Sequence, residues 1–274
     1  MMVVADQKRR RWTEVETILG LYLYFQLPFG KLHSRNPEIQ QLAAAIDRTN
    51  DSVAMKLCNF ASLDPAITGS GRKGLDGASS LDRAVYAKFG HDWTGLLAEA
   101  GGLWEQIVVQ SANAPKINES SRFNETRSEF MFEPFTGETV TEAMVSQRLG
   151  QGFFRRAVLA NYEESCCITG IADPRLLVAS HIKPWGVDVE NRHNPANGFL
   201  LSATMDRAFD CGLITVKRDG HVRVSKQLSQ STSAETRTYF APFDEMPIRS
   251  PVRFDPDPAF LDWHFKEIFL DSGA

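Results

Sequence analysis

The N-terminal part of the chain spaces its apolar residues as α-helices do. The first apolar stripe comprises Trp12, Val15, Leu19 and Tyr22. Residues three or four positions apart share one face of a helix, so this stripe predicts a helix that runs to about Phe25. Thr13 and Glu16 match a capping box at its start. Pro28 and Gly30 mark its end.

Two further helices follow in the same pattern. Pro37, which is favoured at a first helical position, precedes an apolar face made of Ile39, Leu42, Ala43 and Ile46. After the polar segment 50–52, a third helix is expected to point Val53, Leu57 and Phe60 inward, and Ala54, Lys56 and Asn59 outward. Three short helices with a tight turn predict a helix-turn-helix, and this part of the chain resembles Myb-like domains of that class.

A helix-turn-helix places its last helix in the major groove of DNA. Lys56 and Asn59 are therefore expected to face the bases, whereas Lys8 to Arg11 and Arg48 are expected to face phosphates. The alternative is a helical packing domain that binds no ligand.

Helical periodicity is lost over residues 110–140, which are rich in Ser, Asn, Thr, Glu and Pro. We interpret this segment as a linker. It divides the chain into a helical domain at residues 1–109 and a C-terminal domain at residues 141–274.

The C-terminal pattern predicts a strand, a loop, a second strand and a short helix. Residues 176–182 and 198–202 form short apolar runs, and the loop between them is rich in Pro, Gly, Asn and Asp. Residues 203–211 are expected to be helical as far as Gly212. The alternation around Asp219 and Gly220 predicts a β-hairpin after this helix.

Side chains suited to phosphodiester hydrolysis lie along these elements. His181 ends the first strand, and imidazole titrates near neutral pH, so it can take a proton from water. Asp206 and Asp210 are four residues apart, so both carboxylates lie on one helix face and can share a hard cation. Taken singly, a histidine beside an apolar run is more often a core residue, and such an aspartate pair is more often a solvated face.

Three spaced motifs carry a resemblance to a known family. They are Ala179–Trp185 (ASHIKPW), Asn197–Ser202 (NGFLLS) and Asp206–Ile214 (DRAFDCGLI). Together with Gln151–Arg155, the Cys-Ile-Thr-Gly turn and Phe260–His264, they closely resemble HNH endonucleases over roughly residues 141–268. The resemblance implies a ββα-metal fold in which His181 is the general base. It also implies that Asn197 orients the base or binds the metal.

The sequence departs from the family pattern at two positions. Ser180 occupies the place before the base where many members have an acidic or histidine ligand, and Asp206 replaces the closing histidine. A ligand set of Asp206, Asp210 and Asn197 favours Mg²⁺ or Mn²⁺ over zinc.

Several basic residues near these motifs are candidates for contact with nucleic acid. Lys183 and Arg192 are expected to contact phosphates, and Arg207 to meet the charge of the transition state. His193 lies in the same loop and is expected to be an ordinary loop histidine, with contact to DNA or metal as the alternative. The net charge of −4 means that any binding to DNA must come from such local patches.

The remaining composition narrows the class of protein. The cysteines, Cys58, Cys166, Cys167 and Cys211, form no C-x-x-C pair, which disfavours a structural zinc site of the usual spacing. Reduced cysteines fit a cytoplasmic protein. No apolar run is long enough for a signal peptide or a membrane span.

The sequence therefore predicts an α+β protein with an N-terminal helix-turn-helix-like domain and a C-terminal HNH nuclease domain. We expect a metal-dependent endonuclease that hydrolyses duplex DNA, with a role in restriction or anti-phage defence as a hypothesis. A homodimer would suit double-strand cutting. Two alternatives stay open: a DNA-binding regulator with a catalytically silent HNH fold, and a nuclease that acts on RNA or on nicked structures.

Overall fold

The computed structural model describes residues 10–104, 106–107 and 138–271. In the N-terminal part the helices are α1 (Glu14–Gln26), α2 (Pro37–Ala45), α3 (Asn50–Leu63), α4 (Pro65–Gly69), α5 (Ser80–Phe89) and α6 (Trp93–Trp104). The capping box of α1 is present, since Thr13 and Glu16 each accept a hydrogen bond from the other's backbone N–H. Pro37 opens α2 as predicted.

The C-terminal part mixes helices with two small sheets. Its elements are α7 (Glu138–Asn161), β1 (Leu177–His181), β2 (Gly198–Ser202), α8 (Ala203–Asp210), β3 (Ile214–Val216), β4 (Val222–Val224), α9 (Lys226–Ser229), α10 (Ala234–Phe240) and α11 (Pro258–Glu267). Both sheets are antiparallel pairs, β1 with β2 and β3 with β4. The predicted order of strand, loop, strand and helix is confirmed, and so is the hairpin that turns at Gly220, whose φ is 79°.

Helix α7 contributes side chains to two hydrophobic cores. Phe153 and Ala157 pack into the core of the N-terminal helices. Phe154 and Val158 pack into the core of the C-terminal sheets. Neighbouring positions on a helix are rotated by roughly 100°, so two adjacent apolar stripes can face two different cores.

A segment near the C-terminus also joins the two parts. Phe254 packs into the N-terminal core. Arg253 donates to the carbonyl of Tyr24 at 3.0 Å, and its Nε lies 3.7 Å from the Asp64 carboxylate. The Tyr24 hydroxyl donates to the same carboxylate at 2.7 Å. This buried cluster pairs a charge from the N-terminal part with one from the C-terminal part, so it joins the two parts of the chain.

The predicted linker cannot be followed in full. Residues 108–137 lie outside the described residues, and residues 138–140 are the first residues of α7. Helix α7 therefore begins at Glu138, three residues before Thr141, which is the first residue after the predicted linker segment. In the described part of the chain, no helix has the length and apolar character that crossing a membrane requires.

Helix α3 faces its neighbours differently from the prediction. Val53, Leu57 and Phe60 are fully buried as expected, but Ala54 and Lys56 are only 7% and 5% exposed. The Lys56 ammonium pairs with Asp82 of α5 at 2.5 Å. The expectation that Lys56 faces DNA bases is wrong, because α5 covers this side of α3.

Candidate active site

The β1–β2 hairpin places His181 against helix α7. His181 is the last residue of β1 and lies opposite Gly198 in the register. A Cβ at Gly198 would lie 2.7 Å from both Phe154 and Val158 of α7. Glycine at this position therefore lets the helix approach the hairpin closely.

The imidazole of His181 is fixed on one face and at one nitrogen. Its ring stacks on Phe154, with centroids 3.8 Å apart and planes 8° from parallel. Its Nε2 lies 2.9 Å from the carbonyl oxygen of Arg192. Because a carbonyl oxygen only accepts, Nε2 carries the proton in the neutral ring and Nδ1 holds the lone pair.

Nδ1 of His181 is placed to act as a base. It has no hydrogen-bond partner among the described residues. Burial lowers the pKa of His181, and the hydrogen bond to the carbonyl of Arg192 opposes this in part. The ring is therefore neutral near pH 7 and its lone pair can accept a proton.

Asn197 ties together the two ends of the β1–β2 loop. Its Oδ1 accepts from the backbone N–H of Lys183 at 2.8 Å. Its Nδ2 donates to the carbonyls of Lys183 at 3.0 Å and Asn191 at 3.4 Å. The side chain is fully buried. These contacts fit a residue that orients the loop beside His181, and the role of Asn197 as a metal ligand stays a prediction.

Helix α8 presents the two predicted carboxylates. Burial raises the pKa of Asp206, and the nearby charge of Asp210 raises it further. Burial also raises the pKa of Asp210, while Arg207 lowers the pKa of both. Raised pKa values mean that the pair gains from a neighbouring cation.

Ser180 adds a third oxygen beside this pair. Its hydroxyl lies near enough to the Asp206 carboxylate to lower the pKa of that group. However, Ser180 Oγ is buried and completes no hydrogen bond of good geometry. A buried hydroxyl without a partner beside the Asp206 carboxylate is consistent with a site that a hydrated cation completes.

The donor set fits a hard divalent ion bound in part by water. Within the described residues, no group of three or more His, Cys, Asp or Glu side chains is arranged to hold a metal. The chain therefore offers two carboxylates and one hydroxyl at α8 and β1. Mg²⁺ is commonly held by one or two carboxylates, with waters and substrate phosphates as its other ligands.

The three basic residues predicted near the site lie on the loop and on α8. Lys183 is paired with Asp188 at 3.1 Å. The guanidinium of Arg192 lies 5.0 Å from the ring centre of Trp185. Arg207 is exposed on α8, between the two aspartates in sequence. Arg207 is therefore open to a phosphate, whereas Lys183 would have to exchange its partner for one.

In the helical domain, Asn59 is half-buried and lines a broad groove, with a volume of about 1260 Å³. Lys56 and Asp82, which are paired to each other, form part of the same wall. The wall also includes acidic and basic residues in similar number, so its charge favours no anionic ligand strongly.

Sequence reasoning did not assign roles to some residues of the site. Trp185 was noted only as part of a motif, and His193 only as a loop residue. His193 contacts the Trp185 ring edge-on, and its pKa is lowered to about 4 by burial and by the nearby Arg192 and His181. The available signal was Trp185 itself, an aromatic residue in the β1–β2 loop close to His181 in sequence.

The β1–β2 hairpin and helix α8 thus bring a histidine at the end of the first strand close to two carboxylates on the helix. The model of a protein family described as HNH endonuclease matches residues 166–217. These residues include the hairpin, the histidine and both aspartates. Residues 166–217 therefore match an HNH endonuclease domain, and this match supports an enzyme of the nuclease type. A comparison with curated proteins finds no match.

Proposed function

We propose that the protein is a metal-dependent endonuclease that hydrolyses phosphodiester bonds in DNA. The observation that carries the proposal is the unpartnered Nδ1 of His181, on the strand that also brings Ser180 to Asp206. A base for water and an oxygen-rich cation site on the same short hairpin and helix are the two parts that hydrolysis of a phosphodiester requires.

Each residue of the site has a separate role in the proposed reaction. His181 Nδ1 takes a proton from the attacking water, while the carbonyl of Arg192 steadies the resulting imidazolium through Nε2–H. Asp206 and Asp210 would hold Mg²⁺ or Mn²⁺, which supplies charge stabilisation to the phosphoryl oxygens and the leaving oxygen when bound. Asn197 keeps the loop closed beside the base.

Duplex DNA is the substrate that we propose. Arg207 and Arg192 flank the site and would contact phosphates, which position nucleic acid without reading its sequence. Attachment of a helical domain to a cutting domain motivates the further hypothesis of a role in restriction or defence. Unchanged phage plating and unchanged transformation in cells that express the protein would count against that role.

The test is cleavage of supercoiled plasmid by the purified protein in Mg²⁺, Mn²⁺ or EDTA. We expect nicking or linearisation with either metal, and none in EDTA. Asp210→Ala should abolish it, whereas Glu267→Ala, which removes an exposed carboxylate at the end of α11, should leave it unchanged.

A panel of single-stranded, nicked and RNA substrates separates the proposal from its alternatives. Cleavage of RNA or nicked structures in preference to duplex DNA would change the substrate. Binding to DNA without cleavage of any member of the panel would identify a catalytically silent binding protein.

A further inference from the structure

The side-chain rings of Phe154, His181, Trp185 and His193 contact one another in that order and form a continuous ring chain from helix α7 to the β1–β2 loop. Phe154 stacks on His181, and the edge of Trp185 meets His181 with centroids 5.5 Å apart and planes at 84°. His193 meets Trp185 in the same way, at 5.3 Å and 78°. Edge-to-face contacts of this kind favour one relative orientation of the rings.

Trp185 touches both groups that would act on the phosphodiester. One is the imidazole of His181. The other is the guanidinium of Arg192, which lies 5.0 Å from the Trp185 ring centre. Arg192 also accepts the Nε2 hydrogen bond of His181 through its carbonyl. A movement of Trp185 would therefore disturb the base and this cation together.

His193 fits into a notch on α7 at Gly150. A Cβ at Gly150 would collide with the tip of the His193 imidazole, so a larger residue there would push the ring away. Gly150 and Phe154 are one turn apart on α7, so the same helix supports both ends of the ring chain.

We propose that Trp185 is a positioning residue of the nuclease site, which holds His181 and Arg192 in their working orientation and is itself held by His193 in the notch at Gly150. This inference rests on the proposed function for its consequence in catalysis. Its structural content is independent of activity, because it concerns the orientation of His181 in the folded, metal-free protein.

The orientation has a spectroscopic signature. If His181 is held against the Arg192 carbonyl, its neutral ring carries the proton on Nε2, and ¹⁵N shifts of labelled histidine report that tautomer. In EDTA at a pH where the ring is neutral, we expect the Nε2–H tautomer in the wild type and in Trp185→Phe. Trp185→Ala should give averaged shifts for His181. His181→Ala identifies the signal.

The matched control is Tyr239→Ala. Tyr239 makes similar edge-on contacts, with Phe240 at 4.9 Å and Phe243 at 6.0 Å, but lies on α10. It should leave the His181 signal unchanged. Gly150→Ala tests whether His193 holds Trp185 in place, and it leaves Trp185 itself unchanged. It is the deciding variant if Trp185→Ala does not fold. It should displace His193 and disturb the tautomer.

Kinetics supply the second readout. Misplacement of a reacting group by about 1 Å can cost on the order of 100-fold in rate. We therefore expect kcat of Trp185→Ala to fall by about 10- to 100-fold, and KM to change by a smaller factor. Trp185→Phe should recover most of the loss. A folded Trp185→Ala protein with unchanged tautomer and kcat would overturn the inference. A wild-type protein that cleaves nothing would overturn the proposed function alone, since the tautomer is still measured.

Discussion

Two histidines of the C-terminal part stack on phenylalanine rings in the same way but differ in the contacts of their second ring nitrogen. His181 stacks on Phe154 with centroids 3.8 Å apart, and His264 stacks on Phe209 at 3.7 Å, both with planes 8° from parallel. In each ring Nε2 reaches a backbone carbonyl, that of Arg192 at 2.9 Å or that of Phe209 at 3.2 Å. Burial lowers the pKa of both.

The two histidines differ in the hydrogen bonding of their Nδ1 atoms. Nδ1 of His264 lies 2.9 Å from the hydroxyl of Thr215, which donates to it, and the side chain is only 2% exposed. Nδ1 of His181 has no such partner among the described residues. A histidine with both nitrogens bonded inside the protein holds structure, whereas one with a single nitrogen left over can exchange a proton. Stacking does not distinguish the two rings, but His264 is buried more completely than His181.

The comparison predicts its largest effect for His181→Ala. Loss of a general base costs about 10²- to 10⁴-fold in rate, so single-turnover cleavage of duplex DNA should fall by that factor. The free energy of unfolding, from urea titration, should change far less than for His264→Ala. A variant that unfolds as readily as His264→Ala would place His181 among the structural residues.

The converse is expected for His264→Ala. Removing a stacked, doubly bonded, buried ring leaves a cavity and two unpaired groups, so the free energy of unfolding should fall by about 2 to 4 kcal/mol. Urea denaturation monitored by circular dichroism measures it. At a temperature where the variant is folded, cleavage should be reduced much less than in His181→Ala. A stability equal to that of the wild type would contradict the structural role.

The buried His264 should make the stability of the protein depend on pH. Burial lowers the pKa of His264 from 6.5 to about 4. Between these values the unfolded chain binds a proton that the folded protein does not, so stability should decrease as pH falls from 6.5 to about 4. Below that range His264 contributes no further change.

A series of urea titrations from about pH 7 to pH 4 measures this slope. The pKa of His193 is lowered to about 4 as well, so His264→Gln should reduce the slope without removing it. An unchanged slope in His264→Gln would show that His264 titrates normally in the folded protein.

The smallest effect is expected for Thr215→Val, which keeps the shape of the side chain and removes the hydroxyl that donates to His264. A neutral hydrogen bond contributes about 1 kcal/mol, with some added cost for the unpaired Nδ1. The double variant with His264→Ala should lose less than the sum of the two single losses, because both remove the same bond. Additive losses in the double-mutant cycle would mean that the bond contributes nothing.

The pattern of residues within short segments was enough to predict the strands and the helix that carry the site. The apolar runs at β1 and β2 and the i, i+4 spacing of Asp206 and Asp210 are properties of short segments, and the structure has the elements where they were expected. The HNH resemblance is confirmed by the family match. The roles of His181, Asp206 and Asp210 in catalysis and metal binding stay predictions.

The failures came from contacts between distant segments. Lys56 is buried because Asp82, which is 26 residues away, pairs with it. The notch at Gly150 receives a histidine from the β1–β2 loop, and no periodicity in either segment indicates this. The hydrogen bonds of Asn197 to the loop backbone were not predicted either, because they depend on how the loop closes.

The most direct test of the account is single-turnover cleavage of a duplex by wild type, His181→Ala and His264→Ala in Mg²⁺, at one temperature where circular dichroism shows all three folded. We expect the wild type and His264→Ala to cleave and His181→Ala to be slower by about 10²-fold or more. Cleavage by folded His181→Ala at the wild-type rate would contradict the assignment of His181 as the base.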